Sequence, residues 1–116
     1  MADRPINTSV GPSGPGCADC EATGSWWFHL RRCVDCGHVG CCDDSLHRHA
    51  RGHVNATGHT IIQSFEPGED WFYDFTDDSV FEGPTLAEPT SHPVDQTVPG
   101  PRERVPADWV QQLEAR

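Results

Sequence analysis

Ten candidate zinc ligands, read apart from His29 and His38, crowd into 43 positions of this chain: Cys17, Cys20, Cys33, Cys36, Cys41, Cys42, His47, His49, His53 and His59. All six cysteines lie in that window, and His92 is the one histidine outside it. Thiolate and imidazole are the donors that Zn²⁺ selects. The rest of the chain makes a metal necessary. Only 35% of the 116 residues are hydrophobic, against 10 prolines and 11 glycines. So short a chain with so thin a core needs a staple. Paired cysteines in a reducing compartment favour metal over disulfides, and the chain is expected to be cytoplasmic.

Charge narrows the partners. With 18 acidic and 8 basic residues the formal net charge is -10, which argues against nucleic acid and anionic membranes. No run approaches the ~20 apolar residues of a membrane helix. Residues 1–16, rich in Gly, Pro and Ser, contain no apolar segment of the signal-peptide type and are expected to form a disordered tail. Residues 17–83 hold every Cys and Phe, three of the four Trp and the single Tyr, so the domain is placed there. Residues 84–116 read as a Pro-rich linker and a short helix after Pro106, with Trp109, Val110 and Leu113 on one face.

Within the domain, Trp26 to Leu30 is aromatic enough for a strand. Asp43 to Val54 reads as a helix capped by Asp43, Asp44 or Ser45, with Gly58 beyond its end. Thr60 to Phe65 is a second strand. Trp71 to Phe75 is a third, alternating large aromatics at Trp71, Tyr73 and Phe75. The fold class is α+β: a small zinc-stabilised domain with a short antiparallel sheet and one main helix.

C-A-D-C at 17–20 and C-V-D-C at 33–36 are two knuckles whose two-residue gap lets both thiolates reach one ion. Two such knuckles followed by Cys41 and spaced histidines point to structural zinc. Spacing alone leaves the pairing open. A sequential Cys17, Cys20, Cys33, Cys36 site is one arrangement, and interleaving of the knuckles with Cys41 and the histidines is the other. Cys42 reads as a small buried hydrophobe or a free thiol. His47 reads as solvent-facing, His29 and His38 as locally bonded. Closed four-ligand sites leave no position for a catalytic water, so no enzyme is expected.

The order C-x-x-C, a Trp seven residues on at Trp27, C-x-x-C-G-x-V-x-C, H-A-x-x-H at 49–53, G-H at 58–59 and S-F-E-P-G-E-D-W resembles the UBP-type zinc finger. It looks most like the small stand-alone bacterial members, over residues 17 to about 78. The resemblance implies the interleaved arrangement and two Zn²⁺ per chain. One would take Cys17, Cys20, Cys41 and His49, and the other Cys33, Cys36, His53 and His59. The first set would carry one net negative charge and the second none. Each ion could contribute on the order of ~10 kcal/mol coupled to folding.

The resemblance also implies recognition of a free protein C-terminus. Trp27, Trp71 and Tyr73 would form aromatic walls, and an Arg two residues past the third zinc cysteine would grip the carboxylate. Asp43 stands at that position, where repulsion would disfavour a carboxylate by about 1 kcal/mol. Arg31 or Arg32 could reach in from the strand. The expected function is a monomeric, non-enzymatic module binding a protein or peptide. A thiol-redox or zinc-responsive switch using Cys42 beside the zinc thiolates is the alternative.

Overall fold

The structure is a computed structural model and describes residues 6–87 and 99–115. Helix α1 (Ala18–Thr23) is followed by β1 (Leu30–Cys33), β2 (Val39–Cys41), helix α2 (His49–Thr57), β3 (Ile61–Ser64), β4 (Phe72–Asp74), β5 (Ser79–Phe81), a 3₁₀ turn (Arg102–Arg104) and α3 (Trp109–Ala115). The strands form one antiparallel sheet in the order β2-β1-β3-β4-β5. The α+β class with a short antiparallel sheet is therefore observed, in five strands rather than three.

Side-chain alternation along the strands sorts the sheet into two faces. Register pairs Leu30 with Cys41, Arg32 with Val39 and Gln63, and Gln63 with Phe72, which puts these residues on one face. That face carries both apolar clusters. Cys17, Cys20, Trp27, Leu30, Val39, Cys41 and Phe65 form the first. Val34, Ile61 and Phe72 form the second, with Ile6, Phe81 and Leu86 against it. The other face presents Arg31, Gly40, Ile62 and Tyr73. Helix α2 packs there because residue 40 is glycine: a Cβ on Gly40 would lie 2.6 Å from Ala50 N and 2.9 Å from Ala50 Cα.

Several elements differ from the sequence expectation, each for a local reason. The strand expected over Trp26–Leu30 begins only at Leu30, since the preceding backbone is engaged elsewhere. Trp27 exchanges N–H···O bonds with Gly100 (2.7 and 2.9 Å), Phe28 N donates to Ser45 Oγ, and His29 O accepts from Cys42 N. The main helix starts at His49 instead of Asp43. Ser45 is drawn inward by its bond from Phe28, and the chain enters the helix through Arg48 in the left-handed region (φ 53°) with no side-chain cap. Helix α1 and strands β2 and β5 are additional. Cys17 caps α1, its sulfur accepting from Cys20 N.

The stretch 6–16, expected to belong to a disordered tail, runs along the domain. Asn7 N donates to Val34 O, Ser13 N to Gly37 O, and Val39 N to Ser13 Oγ. Downstream of the expected linker, Arg104 donates to Ser25 O at 2.8 Å and pairs with Glu21, while Trp109 stacks on Phe28. His92 lies outside the described residues. Among the described residues no helix is long and apolar enough to cross a membrane.

Candidate metal centres and the adjoining cleft

Local structure brings the cysteines and histidines together in two groups. The first knuckle opens α1, with Cys17 at the cap and Cys20 in the first turn. Cys33 ends β1, Cys36 sits in the turn after it, and Cys41 ends β2. His49 opens α2 and His53 follows one turn later on the same side. Gly58, at φ 76°, closes the helix and sends His59 back toward the second knuckle.

Cys17, Cys20, Cys41 and His49 form one group and Cys33, Cys36, His53 and His59 the other, each with its donor atoms within 4.8 Å of one another. The groups are interleaved in sequence: each knuckle pairs with ligands from β2 or beyond. In the first, His49 Nδ1 lies 3.2, 3.3 and 3.5 Å from the sulfurs of Cys17, Cys20 and Cys41, and the Cys20 and Cys41 sulfurs are 4.0 Å apart. In the second, Cys36 Sγ is 3.3 Å from His53 Nε2 and Cys33 Sγ is 3.6 Å from His59 Nδ1. A tetrahedron with ordinary Zn–S and Zn–N bonds has edges of about 3.8 Å (S···S) and about 3.6 Å (S···N). The donors stand at that spacing, so the residues fit zinc.

Electrostatics gives the same answer for the first group. Bonds received from Cys17 and Cys20 pull the Cys41 thiol down to about 2. The bond from Cys20 would lower Cys17, but the bond Cys17 makes to Cys41, with burial, carries it up to about 12. Cys20 is pushed up by its bonds to Cys17 and Cys41 and by burial. Three sulfurs this close share one negative charge and ionise together only against a cation. In the second group burial pushes Cys33 up to about 11. Burial, then the rings of His38 and His59, hold His53 low, which keeps its ring neutral for ligation.

The remaining candidates fall around these groups. The His38 ring stacks on His53 at 4.2 Å, and its Nε2 lies 2.9 Å from Asp19 of the first knuckle, so it spans the two groups. His47 is exposed and stacks on His49 at 5.3 Å. Cys42 is buried, its thiol 3.5 Å from Ser45 Oγ. Burial opposes its ionisation, but bonds with His29 and Ser45 prevail and lower it; the same bond raises His29.

A cleft of about 190 Å³ opens on the α2 face beside Cys42, lined among others by Arg31, Asp43, Arg51, Trp71, Tyr73 and Phe75. Asp43, Trp71 and Tyr73 thus meet in one place. Trp27 does not line it. That ring is buried in the first apolar cluster, under the Arg104 guanidinium 5.6 Å above it. Two arginines complete the cleft. Arg31 lies 4.7 Å over the Trp71 ring and donates through Nη1 to Leu30 O. Arg51 lies 4.9 Å over Phe75 and grips Asp43 bidentately, Nε to Oδ1 at 3.0 Å and Nη2 to Oδ2 at 2.6 Å. Arg51 had no local signal in the sequence. Its role follows from α2 passing over the 42–44 turn.

A family model described as "Zn-finger in ubiquitin-hydrolases and other protein" matches residues 17–86. The fold is similar to the solution NMR structure of protein RPA1320 from Rhodopseudomonas palustris. The two are 43% identical with a TM-score of 0.69, over 84% of this chain and 100% of that one. No curated protein matches the chain.

Proposed function

Since the chain belongs to the zf-UBP zinc-finger family, we propose that it is a recognition module folded around two structural zinc ions, and not an enzyme. Zinc supplies cross-links between α1, the β1–β2 hairpin and α2. Each donor group offers four ligands, so an ion held by all four keeps no open position for substrate or water. The module acts on a protein or peptide in a reducing compartment such as the cytoplasm.

The observation that carries the recognition reading is the aromatic cleft with its two stacked arginines. Trp71, Tyr73 and Phe75 offer rigid apolar walls for a narrow segment of chain. Asp43, which alone would repel a terminal carboxylate, is neutralised by the bidentate Arg51. Arg31 uses one N–H on Leu30 and keeps further donors for an anion. A C-terminal carboxylate on Arg31, with its last residues between the rings, is the ligand that this chemistry suits.

The test is a calorimetric titration of the zinc-loaded protein with peptides ending in Gly-Gly, free and C-terminally amidated. Preference for the free acid, lost in Arg31→Ala, is the expected result. Equal binding, no binding or preference for the amide refutes the terminal-carboxylate reading.

A further inference from the structure

We propose that the opposite face of the sheet holds a second, separate binding site, in which Arg32 receives a small monocarboxylate. Arg32 is 2% exposed and lies between the two apolar clusters. Its Nη2 donates to Gln63 Oε1 and its guanidinium lies 5.1 Å from the Phe65 ring centroid. Nε and Nη1 have no hydrogen-bond partner among the described residues. No carboxylate among them forms an ion pair with this guanidinium, although arginine stays charged in any protein interior. A buried charge without a counter-charge among the described residues is the costly case of charge burial, and an anion is what resolves it.

The space for that anion adjoins the guanidinium. A cleft of about 440 Å³ is bordered by Arg32, Gln63 and Ser64 on the sheet side and by Gly83 to Ala87 on the other, a volume in the range of small-molecule sites. Arg32 is the one cation in its lining among the described residues. Glu69 and Asp70, both exposed, stand at the mouth. Their charge disfavours a dianion, and the single guanidinium neutralises one negative charge, so a monocarboxylate fits better than phosphate. Alternation along β1 sends Arg31 to the aromatic cleft and Arg32 to this one, so the two sites are independent.

The test uses the full zinc-loaded chain labelled for NMR, titrated with sodium acetate at constant ionic strength, with chloride and phosphate as controls. The expected result is a saturable shift of the Arg32 Nε–H resonance and of the Gln63 side-chain amide. Tyr73 should not respond. Asp70→Asn should tighten acetate binding by roughly twofold, the order expected for removing one solvent-screened charge. Arg32→Met should abolish the response if it folds, and the wild-type Nε–H signal decides the matter if it does not. Glu88 follows Ala87 in the chain and is a second source of the same carboxylate chemistry. Acetate binding confined to Glu88→Gln would assign the anion to the chain itself and overturn the proposal of a ligand site. Absence of a saturable Nε–H shift in both proteins, or an equal response to chloride, overturns the proposal.

Discussion

Replacing Gly40 by alanine should loosen both metal groups at once, although Gly40 is no ligand. Its Cβ would stand 2.6 Å from Ala50 N and 2.9 Å from both Ala50 Cα and His49 C, all backbone atoms at the start of α2. Ordinary contact begins near 3.4 Å, so the helix must retreat by about 0.8 Å. Metal–ligand distances tolerate only about 0.2 Å. His49 and His53 ride on this helix and serve different groups, so neither group escapes. Overpacking of this kind costs roughly 1–3 kcal/mol. At 1.4 kcal/mol per decade, zinc affinity should fall by about 5- to 140-fold. A competition titration against a chromophoric chelator reads that loss, and native mass spectrometry counts the ions retained. Gly52→Ala, in the same helix with nothing within 4 Å, is the control and should stabilise by about 0.5–1 kcal/mol. Gly40→Ala binding both ions within twofold of wild type would refute the reasoning.

Three further outcomes follow from the two groups and the segment beyond the domain. Cys41→Ser, at a position with 0% exposure inside the first apolar cluster, should cost on the order of 4–5 kcal/mol or more and abolish near-UV dichroism. Cys36→Ser, at an exposed position, should release one zinc and keep that signal; equal damage from the two would contradict the assignment of core. His53 has its folded value below the unfolded one, because of burial and the His38 and His59 rings. The stability it contributes is thus complete above about pH 6.5 and lost as pH falls through the lower folded value. Zinc release measured between pH 7.5 and 5 should rise with acid, and release independent of pH would be the wrong sign. Arg104→Ala removes the bond to Ser25 O and the Glu21 pair, at about 1 kcal/mol. Hydrogen exchange at the paired Trp27 and Gly100 amides should then accelerate, and unchanged exchange would show that Arg104 does not hold the segment.

The legible parts of the fold were those set by local pattern. Strands β3 and β4 lie inside the stretches Thr60–Phe65 and Trp71–Phe75, where β-branched and aromatic residues alternate. The C-terminal helix lies after Pro106, as its apolar spacing suggests. Helix α1, strand β2 and the late start of α2 were not legible. Helix α1 rests on a cysteine cap that helix propensity does not announce, β2 on pairing with β1, and the late start of α2 on the Ser45 hydroxyl that takes the Phe28 amide. The cleft was legible in part. Trp71, Tyr73 and Asp43 share it, whereas Trp27 enters the core because residues 99–104 and Arg104 cover it.

By itself the sequence determined the donor inventory: six thiols, clustered imidazoles and too little apolar surface to fold without a cross-link. Residue chemistry and short spacing suffice for that conclusion, because a C-x-x-C turn or an i, i+4 histidine pair closes locally. The tertiary structure alone decided which donors face one another, that Arg51 cancels Asp43, and that neighbours Arg31 and Arg32 serve opposite faces with opposite degrees of burial. Those outcomes are matters of through-space distance. Strand register and the seat of α2 on Gly40 set them, and both are fixed by packing between segments far apart in the chain.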